Sequence, residues 1–309
     1  MIHLLKRYSK LHRLNQLQTA MIMLSLLLLL AAILVLLGGA GLLIEVGAYI
    51  FIVVVVAPYL SPKVVLKLFN ARPVELDAES LLSRQLFELS EKAGIKQPPQ
   101  VYYIASPKVI AFTVGGKRRA TIALSDGLLR LLNPWELKAV LAHEVAHIKH
   151  GDVTVMAVAD FVFYMVYALS ILGGIGLIVA LPFALFTGFS IPWLLFLVLM
   201  AAPVLTILMR MKLSRIRELE ADRCAALLHD PWALISALNK LDYRLPGWLE
   251  YFVIRKPDTT PSLLRTHPET ELRVAQLEAV AIEMGIRRPM FNFPNIMTPR
   301  HLRELRDWF

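Results

Sequence analysis

The sequence has a single cysteine and little charge for a chain of 309 residues. Because Cys224 is the only cysteine, the chain forms no internal disulfide, which is typical of a protein in a reducing compartment. Charged residues make up only 18% of the chain, whereas hydrophobic residues make up 57%. This balance excludes an ordinary soluble globular protein and indicates a membrane protein.

Charge is nearly absent from two long apolar blocks. Residues 19–60 contain only Glu45, and residues 153–209 contain only Asp160, which we expect to be solvated near the membrane surface. Each block is about twice the roughly 20 residues that a helix needs to cross a bilayer. We therefore predict two membrane hairpins of two spans each. The predicted spans, joined by turns at residues 38–41 and 182–192, are residues 19–37, 42–60, 153–180 and 191–209.

Basic residues exceed acidic residues by nine, and many of them lie beside the predicted spans. By the positive-inside rule, they place both termini and all the polar sequence on the cytoplasmic side of the plasma membrane. No interleaving of basic and aromatic residues accompanies them, so we expect contact with the lipid bilayer and not with nucleic acid. The basic groups are Lys6, Arg7, Lys10 and Arg13; Lys63, Lys67 and Arg72; and Arg210, Lys212, Arg215 and Arg217.

Beyond a cytosolic N-terminal segment, residues 1–18, the polar sequence occurs in two pieces, residues 70–152 and 210–309. Because both pieces face the same side of the membrane, we predict that they fold together. The predicted class is α+β and mainly helical: a polytopic membrane protein with about four transmembrane helices and one cytosolic domain. Periodicity predicts helices over 78–93, 210–229, 268–284 and 298–307, and strands over 101–104, 109–114 and 120–124. Gly94 suits a C-terminal cap of the first helix, and residues 115–117, which begin with Gly115, suit a hairpin turn between the last two strands. The helix over 210–229 can continue directly from the fourth span.

One polar helix carries the pattern of a metal site. Asn133-Pro134-Trp135-Glu136 predicts its start, with a capping box between Asn133 and Glu136. The same helix contains His143-Glu144-Val145-Ala146-His147. Residues four apart share a helix face, so both imidazoles reach one metal ion. Glu144 lies about 100° round the helix, where it contacts a water molecule as general base.

Two histidines do not complete a catalytic zinc site, which takes three protein ligands and keeps one position open. The metzincin pattern is excluded, because it requires a glycine and then a histidine at positions that hold His150 and Val153 in this sequence. The better candidate for the third ligand of one zinc ion per chain is Glu218. Asp222, one turn later on the same face, is placed to accept the free N–H of a ligand imidazole.

Together these residues resemble the HtpX-type membrane zinc peptidases, which are relatives of the CAAX prenyl endopeptidases. The resemblance covers nearly the whole chain, including Gly151-Asp152 after the histidine motif. It also includes the stretch from Ser214 to Asp222, which matches Ser-Arg-x-Arg-Glu-x-x-Ala-Asp. The resemblance implies a zincin-like, gluzincin-type catalytic domain in which Glu218 is the third zinc ligand.

Two further matches imply roles in substrate binding and catalysis. Ala111-Phe112-Thr113-Val114-Gly115 resembles an Asn-Ala-Phe-Ala-x-Gly strand that binds peptide, with Ile110 in place of the Asn. Thr266-His267-Pro268, followed by Arg273, resembles a late motif that supplies a donor to the tetrahedral intermediate. His267 and Arg273 both remain candidates for that donor. The implied substrate-binding residues are Ile110, Ala111, Phe112, Thr113 and Val114.

We expect a zinc endopeptidase that cleaves misfolded or damaged membrane proteins and unfolded polypeptides. One alternative is a CAAX-type prenyl endopeptidase, although four spans do not easily enclose a chamber. A second is an intramembrane-cleaving metalloprotease, although the histidine motif lies on a polar, capped helix. A non-enzymatic scaffold with structural zinc is disfavoured by the single cysteine. The oligomeric state does not follow from the sequence.

Overall fold

The computed structural model describes residues 2–75, 77, 79–117, 119–188, 193–242 and 270–289. The chain divides into two compact units. The first unit contains the sheet and most of the polar helices. It comprises Met1–Ser9, Pro58–Thr154 and Arg217–Phe309, and the second unit comprises Lys10–Ala57 and Val155–Ile216.

The helices of the described residues agree in most positions with the periodic segments of the sequence. The predicted cap at Gly94 is confirmed, with φ of 74°. The fourth predicted span also continues into the helix predicted over 210–229, because both lie in one helix, Trp193–Leu228. The helix predicted over 298–307 lies outside the described residues. The helices are α1 (Ile2–Leu68), α2 (Leu81–Ala93), α3 (Asp126–Leu131), α4 (Pro134–His150), α5 (Asp152–Thr187), α6 (Trp193–Leu228), α7 (Pro231–Asp242) and α8 (Thr270–Glu283).

A four-stranded sheet lies in the first unit. Strands β1 (Arg72–Pro73), β2 (Gln100–Ile104), β3 (Ala111–Val114) and β4 (Thr121–Ser125) are arranged in the order β1-β2-β4-β3. β4 is parallel to β2 and antiparallel to β3, and all of its residues are buried. The three predicted strands are confirmed with small shifts at their ends, whereas the two residues of β1 are too few to show a periodic pattern.

Strand β3 forms one edge of this sheet. Phe112 and Val114 pack in a cluster with Leu66 and Ile104. Because side chains alternate along a strand, Ala111 and Thr113 face the opposite side. The predicted turn after β3 starts at Gly115, where a Cβ atom would lie 2.3 Å from the Arg119 carbonyl oxygen.

The core of the first unit lies between the sheet and helices α2, α4 and α7. Glu136 of α4 also joins α7 through polar contacts. It accepts hydrogen bonds of 2.6 Å from Ser236 Oγ and 2.7 Å from Lys240 Nζ. These contacts orient α4, the helix that carries the histidine motif. Large buried members of the core include Leu86, Leu124, Leu128, Leu132 and Leu141.

The turn predicted at residues 38–41 is wrong, because α1 is helical from Ile2 to Leu68. Glycine in a helix interior costs only about 1 kcal/mol relative to alanine, so a short glycine cluster does not enforce a break. Apolar flanking sequence keeps the backbone hydrogen-bonded within the helix. The second predicted span, residues 42–60, contains side chains outside the described residues and stays a prediction.

Three helices among the described residues are long and apolar enough to cross a membrane: Tyr8–Gly38, Asp152–Phe183 and Trp193–Leu228. In the second unit they pack through buried side chains such as Leu30, Val162 and Leu199. The predicted turn between α5 and α6 begins after Thr187, since Pro182 lies inside α5.

Asp160 of α5 is buried, and Arg210 Nε of α6 donates to its carboxylate. The expectation that Asp160 is solvated at the membrane surface is therefore wrong. An aspartate in an apolar helix is costly unless a cation lies beside it. Arg210 supplies that cation from a position fifty residues away in the sequence.

We predict that Asp160→Leu lowers the free energy of unfolding by about 3–5 kcal/mol, because it leaves Arg210 buried without a counter-ion. Adding Arg210→Met should restore most of the loss, since two apolar side chains replace the pair. Unfolding of the full chain in detergent, followed by circular dichroism, measures both effects. A single variant as stable as the wild type would contradict the prediction.

Candidate active site

Helix α4 presents two imidazoles on one face. Its predicted capping box is present: Asn133 Oδ1 accepts from Glu136 N, and Glu136 Oε2 accepts from Asn133 N. The helix ends at Gly151, whose φ of 74° suits glycine. Between these caps the helix is uninterrupted, and the Nε2 atoms of His143 and His147 lie 3.0 Å apart.

Helix α6 brings a carboxylate to the same point. Glu218 Oε2 lies 3.4 Å from His143 Nε2, and Glu218 Oε1 lies 3.6 Å from His147 Nε2. One ligand atom from each of the three residues lies within 4.8 Å of the others. Because the His147 side chain is 14% exposed and that of Glu218 11%, solvent reaches the donors.

This donor set fits a catalytic zinc ion. Tetrahedral zinc with nitrogen and oxygen ligands at about 2.0–2.2 Å separates neighbouring donors by about 3.4 Å. The observed separations of 3.0, 3.4 and 3.6 Å bracket that value. Two imidazoles and one carboxylate leave one tetrahedral position for water or substrate, as catalytic sites require.

Each imidazole has a carboxylate at its other nitrogen. His143 Nδ1 lies 3.0 Å from Asp222 Oδ1, and His147 Nδ1 lies 2.8 Å from Asp152 Oδ2. An acceptor at Nδ1 keeps the Nε2 lone pair directed at a metal and raises its basicity. The spacing of Glu218 and Asp222 indicated the first of these contacts, whereas sequence reasoning missed Asp152.

The position of Asp152 follows from the end of α4. It is the first residue of α5 and comes directly after Gly151, where the chain turns out of α4 in the left-handed conformation. This turn directs its carboxylate to His147, five residues earlier. The Gly-Asp pair after the motif was the available signal. A spacing of five residues is not a same-face spacing within a helix, so periodicity does not reveal it.

Two buried arginines accompany these carboxylates. Arg273 of α8 donates from Nε and Nη2 to the two oxygens of Asp222, both at 2.7 Å. Arg217 of α6 donates from Nε to Asp152 Oδ1 at 2.6 Å, and its Nη2 contacts the same oxygen. A buried carboxylate without its cation is strongly destabilising. The two pairs therefore hold Asp222 and Asp152 in place.

The electrostatics of the site favour a positive charge between the imidazoles. Burial lowers the pKa of His143, but the carboxylates of Asp222 and Glu218 raise it to about 10. Burial and the neighbouring His143 lower the pKa of His147, yet Asp152 and Glu218 raise it above its usual value. The carboxylates around the two imidazoles therefore stabilise a cation at this point.

A model of peptidase family M48 matches residues 78–281, which is more than half of the chain. This segment contains the histidine motif, Glu218 and both supporting aspartates. The chain belongs to peptidase family M48.

Relatives named Protease HtpX homolog match this M48 peptidase over nearly their whole length. The relative from Methylibium petroleiphilum is 33% identical over 293 residues, which cover 86% of this chain and 98% of that protein. The relative from Paraburkholderia phytofirmans is 31% identical over 294 residues, which cover 86% and 97%. The predicted resemblance is thereby confirmed. Among solved structures, S. mikatae Ste24p matches with a TM-score of 0.49 and 19% identity, over 87% of this chain and 66% of that chain.

The remaining predicted residues of this M48 peptidase lie at different places. Glu144 is 8% exposed and faces β3, where Thr113 Oγ1 donates to its Oε2 at 2.6 Å. Four of the five predicted substrate-binding residues form β3, and Ile110 directly precedes it. Arg273 is engaged with Asp222, and its Nη1 lies 3.6 Å from Glu218 Oε2. His267 lies outside the described residues.

We predict that Asp152→Asn weakens zinc binding about 10- to 100-fold, as loss of a carboxylate behind a ligand imidazole typically does. Competition with a chelator measures the affinity. Asp126→Asn is the matched control, because Asp126 pairs with the exposed Arg130 on α3. Equal zinc affinity in Asp152→Asn and the control would contradict a role for Asp152 in holding His147.

We also predict that zinc binding releases about one proton at neutral pH, because the ligand form of His143 is the unprotonated one. The pKa of His143 in the metal-free site is raised to about 10. Zinc affinity should therefore rise with pH up to that value and fall as the pH is lowered. Calorimetry in two buffers with different ionisation enthalpies measures the proton count. Binding without proton release would contradict this interpretation.

Proposed function

We propose that this M48 peptidase is a zinc-dependent endopeptidase. The observation that carries the proposal is the convergence of His143, His147 and Glu218 from two helices, with Glu144 next to the first ligand. The arrangement supports hydrolysis of a peptide bond by water, because it combines three protein ligands with a nearby carboxylate.

Different residues of the chain have different roles in the proposed hydrolysis. A bound zinc ion supplies Lewis acidity, which lowers the pKa of a water molecule and polarises a peptide carbonyl. Glu144 accepts a proton from the attacking water and passes it to the leaving amine when the C–N bond breaks. Asp222 and Asp152 keep the imidazoles in the tautomer that binds metal through Nε2.

The donor to the developing oxyanion was predicted to be His267 or Arg273. The contacts of Arg273 favour another role, since Nε and Nη2 are taken by Asp222. We propose that Arg273 holds Asp222 behind His143 and that His267 is the better candidate for the donor. A variant His267→Ala that lowers kcat more than it raises KM would agree with this role.

An extended peptide is the substrate that the edge strand suits. β3 is hydrogen-bonded to β4 on one side and forms the edge of the sheet on the other. A peptide that adds as a further strand is recognised mainly through its backbone, which gives broad sequence tolerance. Folded proteins do not offer such a strand. We therefore propose unfolded polypeptides and misfolded or damaged membrane proteins as substrates.

The membrane location of the site is part of the proposal. The three apolar helices of the described residues support a multi-pass membrane protein. The basic clusters beside the predicted spans support a catalytic domain on the cytoplasmic side of the plasma membrane. Helix α4 is not among the candidate spans of the described residues, which disfavours intramembrane cleavage. Prenyl-protein cleavage would use the same chemistry, and a farnesylated peptide in the assay separates the two substrates.

We predict that Glu144→Gln lowers kcat on an unfolded substrate such as casein by at least about 100-fold, because the amide does not accept the proton. Zinc content, measured by mass spectrometry, should stay near that of the wild type, since Glu144 is not a ligand. Glu91→Gln on the exposed face of α2 is the control for the same chemical change. Wild-type activity in zinc-loaded Glu144→Gln would refute the proposed mechanism.

A further inference from the structure

Thr113 is the one hydroxyl-bearing residue of strand β3. Its neighbours Phe112 and Val114 are buried in the cluster on the other face of the sheet. Strand alternation therefore directs the Thr113 side chain away from that cluster. Its Oγ1 donates a hydrogen bond to Glu144 on α4, 31 residues later in the sequence.

The geometry of this contact restricts the carboxylate. The bond is 2.6 Å long, in the range of hydroxyl–carboxylate bonds, which are stronger than bonds between neutral groups. It engages Oε2, and Oε1 takes no part in this bond. One bound oxygen also fixes the rotation of the carboxylate about its terminal torsion, which is otherwise broad. Glu144 is only 8% exposed, so few water molecules compete for Oε2.

We propose that Thr113 is a positioning residue for Glu144. Its hydroxyl holds the carboxylate in one orientation, so that Oε1 faces the reacting water. Because Thr113 belongs to the proposed peptide-binding strand, the same strand that aligns the substrate also aligns the base. The inference rests on the proposed function, in which Glu144 is the general base.

The expected effect is a partial loss of rate. A hydrogen bond to a charged group is worth roughly tenfold or more in an equilibrium or a rate. Misorientation of a catalytic group acts on kcat, whereas weaker peptide pairing acts on KM.

The test compares Thr113→Val with Thr113→Ser in the full-length, zinc-loaded protein in detergent. Valine keeps the branched shape without the hydroxyl, and we expect about a tenfold lower kcat with KM unchanged within about twofold. Serine keeps the hydroxyl, and we expect it to restore most of the wild-type kcat. Thr121→Val on the adjacent strand β4 is the matched control, because Thr121 is buried and pairs with Val114.

A binding measurement separates positioning from substrate recognition. In the inactive Glu144→Gln background, Thr113→Val should leave the Kd for an unfolded peptide unchanged. The zinc content and the melting temperature of the Thr113→Val variant should match those of the Thr121→Val control. A tenfold weaker Kd would assign Thr113 to peptide binding, and a parallel loss of zinc would assign it to the metal site; both outcomes overturn the proposal.

Two further outcomes overturn it directly. One is a Thr113→Val enzyme with wild-type kcat, and the other is a Thr113→Ser enzyme no faster than Thr113→Val. If valine prevents folding, Thr113→Ala provides the same comparison with a smaller side chain. These failures are distinct from failure of the proposed function, which would appear as an active Glu144→Gln enzyme.

Discussion

Unbalanced buried charge is the constraint around which the catalytic unit is organised. The cluster contains four carboxylates and two guanidiniums, and with neutral imidazoles it carries two excess negative charges. Ionised groups out of water are costly unless they are compensated. A divalent cation between the imidazoles, as proposed for this site, would remove the excess and make the joint burial of these side chains favourable. They are Glu144, Asp152, Glu218 and Asp222, with Arg217 and Arg273.

Helix α6 contributes to this cluster in three ways. Glu218 faces both imidazoles, and Asp222, one turn later, faces His143. Arg217, adjacent to Glu218 in the sequence, points to Asp152 behind His147. A rotation of α6 would displace Glu218, the proposed third metal ligand, and Asp222 behind His143. It would also move Arg217 away from Asp152. The orientation of this helix therefore sets the geometry of the whole site.

The parts that were predicted correctly depend on neighbours along the chain. The capping box of α4, the face shared by His143 and His147, and the cap at Gly94 all follow from local spacing and backbone preference. The turn at residues 38–41 was wrong because glycine only weakens a helix, and apolar surroundings favour its continuation. The burial of Asp160 was missed because its partner, Arg210, lies in a different helix.

By itself, the sequence determined which donors exist and how they are spaced on their helices, because helical periodicity is a local property. Only the tertiary structure decided which groups meet between elements. Thr113 reaches Glu144 across 31 residues, Asp152 reaches Arg217 across 65, and Asp222 reaches Arg273 across 51. Such pairs form because tertiary packing places two elements side by side, and no pattern along a single element contains that information.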